Sequence, residues 1–358
     1  MIAINTIFDN IAALQSTGEH HYPPGIFPSQ RIHPQLGYVR EDNNIFFSSL
    51  VIYTLHQILP MLTPAQQSRL EVMTASVTAN YPEYLHKEAP DTFNFWPNHS
   101  HGHFPNGWLL HRIPMLALPA DTDDTTMIYL THPEAMDIGA LKNEYQGQYP
   151  MEQASSPLTP KAYQDLRAYP TFLGKRMARE LDVCVICNVL LLMLRYPPIT
   201  KIDEDSITYL ERVLDRRDHV HISFDVSPNY ANGAIILYHM ARLVASYSFD
   251  RMENLKALTI GCLQELVQQP LHYMEKLLLT SSLLRLGQSV PALSTKNVEN
   301  HFEDFYFFQA GMLTGLQKGY LKKLAARPFF HLKYRCEAYY WTLVLEYMFL
   351  LDHRSSKS

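Results

Sequence analysis

ELDVCVICNVLLLML, residues 180–194, opens on two acids and then runs from Val183 to Leu194 with Asn188 as its one strongly polar side chain. Such a run is too long for a typical strand and apolar on most faces, which predicts a buried helix. The same unit, a polar or acidic cluster opening an apolar helix, recurs along the chain. It is found in REDNNIFFSSLVIYTLHQIL from Arg40, DTDDTTMIYLT from Asp121 and SPNYANGAIILYHMARLVA from Ser227. HYMEKLLLTSSLLRLG from His272 and CEAYYWTLVLEYMFLL from Cys336 bring the apolar helices to six.

Between them lie segments with charged faces, PAQQSRLEVMTASVTANY, EDSITYLERVLDRR and RMENLKALTIGCLQELVQQ. Apolar helices belong inside and amphipathic ones outside. The pattern therefore predicts an all-α protein in which helical hairpins form one toroid domain, an (α/α)6 barrel spanning residues 1–358. A superhelical stack of hairpins is the structural alternative. In a toroid the starts of the inner helices line one mouth, so the polar clusters at Arg40–Asn44, Asp121–Thr126, Asp182–Asn188 and Ser227–Asn232 converge there. A long loop at about 86–120 holds DTFNFWPNHSHGHFPNGW, residues 91–108, and loops of that length in compact domains are commonly functional.

Composition limits the function classes. Apolar residues are 47% and charged ones 18%, a globular balance, and the net charge of -5 with no basic run longer than two gives no footprint for nucleic acid. No signal-peptide order or membrane-length apolar stretch is present, so the expectation is a cytoplasmic protein without a membrane span. Cys184 and Cys187 form a CxxC, but their spacing puts both on one face of a buried helix, where a core role is favoured over a zinc or redox site.

DTDDTTM is the most chemically pointed stretch. Asp at a helix start accepts free backbone N–H groups and suits the helix dipole, which explains one or two acids. Asp121, Asp123 and Asp124 make three within four positions, and their mutual repulsion offsets that gain. Close carboxyls in a poorly solvated place cannot all ionise, so one pKa is driven above its ordinary value of about 3.9. This heptapeptide resembles the DxDD motif of class II terpenoid cyclases, often DxDDTAM, which are enzymes of (α/α) barrels. The resemblance implies that Asp123 is the general acid, protonating an alkene or epoxide of an isoprenoid to start a carbocation cyclisation. Asp121 and Asp124 would be its orienting partners. The likeness covers the motif alone: the QxxxxxW repeats of squalene-type cyclases and the DDxxD of class I synthases are absent.

A carbocation needs a dry cavity with π faces. Aromatics concentrate at Phe93, Phe95, Trp96, Phe104 and Trp108, at Phe46 and Phe47, at Phe302 to Phe308, and at Tyr339 to Trp341. Trp96, Phe95, Trp108, His101, Asp182, Asn188, Tyr230 and Arg40 are the candidate substrate contacts, Arg40 for an anionic group or an ion pair with a neighbouring acid. His99, His101 and His103 alternate with the spacing of metal ligands on an extended segment, yet no acid or Cys stands beside them, and loop or substrate contacts are favoured. No metal or cofactor is expected, with Mg2+ entering only for a diphosphate substrate. The partner is a small hydrophobic molecule. Two other readings stay open: a carbohydrate-active (α/α)6 enzyme with two separated carboxylates, and a non-catalytic toroid binding protein.

Overall fold

The apolar helices expected from the sequence are present in the computed structural model, and most of their residues are buried. The structure describes residues 4–87, 89, 91–98, 103–107, 110–112, 118–135, 137–147, 159–173, 180–311, 324 and 326–355. The chain begins with α1 (Ile4–Ala13), then β1 (Ser29–His33) and β2 (Tyr38–Asp42). Helices α2 (Phe46–Gln57), α3 (Pro64–Thr78), α4 (Thr122–Thr131) and α5 (Ile138–Gly147) follow, then α6 (Val183–Met193) and α7 (Lys201–Asp215). Two short helices, α8 (Asp218–His221) and α9 (Ser223–Val226), precede α10 (Gly233–Ser246), α11 (Asp250–Leu266) and α12 (Tyr273–Arg285). The last elements are β3 (Phe308–Gly311), β4 (His331–Arg335) and α13 (Glu337–Ser355).

Every residue of α4 and α6 is buried, whereas α3 buries only Leu70, Met73 and Val77. The contacts between the apolar helices run in a cycle. Helix α2 packs on α4, α4 on α6, α6 on α10, α10 on α12, α12 on α13, and α13 returns to α2. The amphipathic helices lie against this cycle: α1 on α13, α3 on α2, α7 on α6, and α11 on α10 and α12.

The all-α expectation needs correction, because the protein also contains an antiparallel four-stranded sheet of order β2-β1-β4-β3. Each strand has only four or five residues, and β1 buries four of its five positions without alternating, so the period-two signal was missing. Its inward residue Arg31 is fully buried and meets Asp42 Oδ2 at 2.6 Å. Arg31 Nη2 also donates to the carbonyl of Pro105 at 2.8 Å, and Asn44 Nδ2 donates to Asp42 Oδ1 at 2.9 Å. Arg40 to Asp42 therefore close strand β2 rather than opening a helix. Asn44 alone does that work, accepting from the Phe47 N–H at 3.2 Å.

Among the described residues no helix is long and apolar enough to cross a membrane.

Candidate acid site

Asp121 is the N-cap of α4. Its backbone is extended, pinned by its N–H to the carbonyl of Phe93 (2.8 Å), and its Oδ1 accepts from the N–H groups of Asp123 (2.8 Å) and Asp124 (3.2 Å). The capping account of the acidic cluster is thus correct for this residue. It does not extend to the next two acids. Asp123 Oδ1 accepts from Asn188 Nδ2 of α6 at 2.7 Å, and its Oδ2 accepts from the Tyr230 hydroxyl at 2.5 Å. Both oxygens of Asp124 are buried with no hydrogen-bond partner among the described residues.

A fourth acid arrives from α6. Asp182 is its N-cap and accepts from the Cys184 N–H (2.9 Å), the Asn229 N–H (2.9 Å) and the Ser227 hydroxyl (2.5 Å). The start of α6 is thereby tied to the segment that opens α10. Asn232 continues the chain of links: it caps α10 through the Ala234 N–H at 2.9 Å, and its Nδ2 donates to Glu275 in the first turn of α12. The N-terminal ends of α4, α6, α10 and α12 are therefore joined side by side.

Burial governs the electrostatics. Asp121, Asp123, Asp124 and Asp182 are only 8%, 5%, 1% and 0% exposed. Loss of solvent, reinforced by the Asp123 charge, pushes Asp121 up to about 7, although its two backbone donors counteract part of the rise. Loss of solvent raises Asp123 to about 6, against the pull of Tyr230, Asn188 and the Arg242 charge. Asp124, desolvated and beside both other acids with no donor of its own, is held well above the carboxylate range. Desolvation also raises Asp182 to about 6 despite its three donors. The cluster thus retains protons at a pH where exposed aspartates have lost them.

Aromatic rings pack around Tyr230, the donor to Asp123 Oδ2. The Tyr230 ring lies 6.3 Å from Phe46, 6.1 Å from Phe307 and 6.1 Å from Phe308, centroid to centroid. Phe308 lies on β3, so the unforeseen sheet supplies part of this wall. Phe95 stands one ring further out, 5.7 Å from Phe308. Of the sequence candidates, Asp121, Asp123, Asp124, Asp182, Asn188 and Tyr230 thus come together, although Asn188 and Tyr230 bind the acid itself.

Trp96 goes elsewhere, its Nε1 donating to Asp42 at 3.0 Å within the Arg31 cluster. Arg40 is exposed, its guanidinium 4.8 Å from the centre of the Tyr38 ring, away from the acids. Trp108, His99 and His101 lie outside the described residues. Cys184 and Cys187 are fully buried free thiols, pushed up by burial, and among the described residues no group of three His, Cys, Asp or Glu side chains is arranged to hold a metal.

Two residues of the interior escaped sequence reasoning, His239 and Arg242. Their signal was available: a charged residue one turn after a histidine inside an otherwise apolar helix. A cavity of about 400 Å3, lined by Tyr22, Gln30, Phe302, Arg335, Glu337 and Tyr340 among others, lies apart from the acids. Compared with family models, curated proteins and solved structures, the chain gives no significant match to any of them.

Proposed function

We propose that the cyclic packing of α2, α4, α6, α10, α12 and α13 is an (α/α)6 toroid, and that the protein is a class II terpenoid cyclase-like enzyme with Asp123 as its general acid. One observation carries this reading. Asp123 is a buried carboxyl, raised to about 6, that already holds two donors suited to its conjugate base, and one of them, Tyr230, packs among aromatic rings.

The chemistry follows from that arrangement. An isoprenoid alkene takes the Asp123 proton: the π pair forms the new C–H bond, and the neighbouring carbon becomes cationic. The carboxylate left behind is met by the Asn188 amide and the Tyr230 hydroxyl without reorganisation, which lowers the cost of the transfer. The faces of Phe46, Phe307 and Phe308 stabilise positive charge without acting as bases. Asp121 holds the first turn of α4, and so the position of Asp123, by its cap. The proton transfer needs no cofactor. Four buried, unpaired cysteines suit a reducing, cytoplasmic setting.

A glycosidase reading finds less support. It requires a second carboxylate, on another element, free to act on the sugar. Asp182, the acid brought in by α6, is occupied by three donors.

The test is incubation of the purified protein with squalene, oxidosqualene, prenyl diphosphates and prenylated aromatics. Cyclised product is expected, and Asp123→Asn is expected to lower its rate by about 10²-fold or more, the scale of a lost general acid. Product formed equally fast by Asp123→Asn would refute the role.

A further inference from the structure

Arg242, in the third turn of α10, is 3% exposed, and its Nη1 and Nη2 have no acceptor among the described residues. Its guanidinium carbon stands 4.5 Å from the centre of the Tyr53 ring of α2 and 5.5 Å from that of Tyr238. Those π faces offset part of its charge, yet they leave the two forked nitrogens unserved. Glu346, whose charge acts on Arg242, is already engaged, accepting from Arg285 at 2.5 Å and from Tyr238 at 2.9 Å.

Other orphaned groups lie nearby. His239, one turn earlier on the same helix, bonds the Ile235 carbonyl through Nδ1 at 2.9 Å. A carbonyl only accepts, so Nδ1 carries the hydrogen and Nε2 is a bare acceptor, itself buried without a partner. Burial and the Arg242 charge hold this imidazole down to about 3, so it adds no second cation. Asn188, whose amide serves Asp123, leaves its Oδ1 unpartnered. The Phe307 ring spans the set, 5.6 Å from His239, 6.4 Å from Tyr238 and 6.1 Å from Tyr230.

Buried polar atoms are nearly always hydrogen-bonded, and a buried charge without a bonded counter-ion is costlier still. Here Arg242 is an unserved cation in the interior it shares with the acid, and it alone selects an anion, because the bare His239 Nε2 and Asn188 Oδ1 accept only from donors. We propose that Arg242 binds the carboxylate of the substrate, so that the enzyme acts on a monoanionic isoprenoid acid whose apolar chain runs toward Asp123. The number of charges selects the headgroup: a single forked cation matches one carboxylate bidentately, whereas a diphosphate would leave further negative charge uncompensated beside four acids. The inference rests on the cyclase reading for the apolar part of the ligand and on Arg242 for the headgroup.

The experiment measures binding rather than turnover, using calorimetry with geranylgeranoic acid, geranylgeraniol and geranylgeranyl diphosphate. The wild-type protein is expected to bind the acid at least tenfold more tightly than the alcohol, with the diphosphate no tighter than the alcohol. In Arg242→Met the acid should fall to the affinity of the alcohol, and in Arg242→Lys the preference should be reduced. Equal affinities for acid and alcohol in the wild type, no binding of either, or strongest binding of the diphosphate would each overturn the proposal. The wild-type comparison decides the matter even where Arg242→Met does not fold. Asp123-dependent turnover of uncharged isoprenoids without an acid preference would sink this inference alone. An acid preference without any turnover would sink the cyclase reading alone.

Discussion

Asp124 and Asp123 are neighbours in the chain with opposite surroundings. Asp123 has a donor on each oxygen, and Asp124 has none among the described residues, so the motif's last acid is the one most firmly kept neutral. The sign of the resulting pH dependence follows. A carboxyl whose folded pKa is raised contributes its full stability below its unfolded value of about 3.9, and this is lost as pH climbs toward the folded value. For Asp121, Asp123 and Asp182 that window runs from about 4 to 6 or 7. For Asp123 alone, the rise from 3.8 to about 6 corresponds to roughly 3 kcal/mol favouring the protonated form. The protein is therefore expected to resist urea better at pH 5 than at pH 8, and Asp124→Asn, neutral at every pH, to narrow that difference. An unchanged difference in the variant would show that Asp124 is ionised in the fold. At this scale the motif was legible because three acids in four positions defy simple capping. Arg31 was not, since nothing in SQRIH distinguishes an inward arginine from an outward one, and Arg242 was passed over although its charge stands inside an otherwise apolar helix.

At the scale of the elements, the legible signal was the cap. Helices α4, α6, α10 and α12 are preceded by Asp121, Asp182, Asn232 and His272, and each of these side chains accepts from the N–H two residues ahead. Reading a polar cluster before an apolar run as a helix start succeeded wherever such a cap was present. It misled at Arg40–Asp42, because a strand ending in a buried Asp shows the same polar-then-apolar transition. Asn232 offers a direct measure of what a cap contributes. Asn232→Ala removes the acceptor for the first turn of α10 and the donor to Glu275, and is expected to cost about 1–2 kcal/mol in chemical unfolding with little change in helical circular dichroism. A loss below a few tenths of a kcal/mol would mean that neighbouring packing alone sets the start of α10.

The whole molecule depends on closure. Helix α13 meets both α12 and α2, so it completes the cycle of contacts, and it buries Tyr339, Leu343, Val344, Leu345 and Tyr347. Truncation before Glu337 exposes those residues together with the faces of α2 and α12 that they cover. The shortened chain is expected to lose its sharp thermal transition and to bind a hydrophobic dye. A cooperative melt within a few degrees of the full chain would contradict that dependence. The number of apolar helices could be counted from the sequence, because each is long and apolar on most faces. The sheet could not, because its strands are short and its central pair joins residues 30–32 to residues 333–335, a partnership that local patterns do not encode.

That central pairing also sets a timetable for synthesis. A ribosome adding 5–20 residues per second finishes β1 about 15–60 s before it makes β4. Throughout that interval the β1-β2 hairpin presents an open edge, the kind of surface on which other chains aggregate. The sheet is complete only once the late strand emerges and covers that edge.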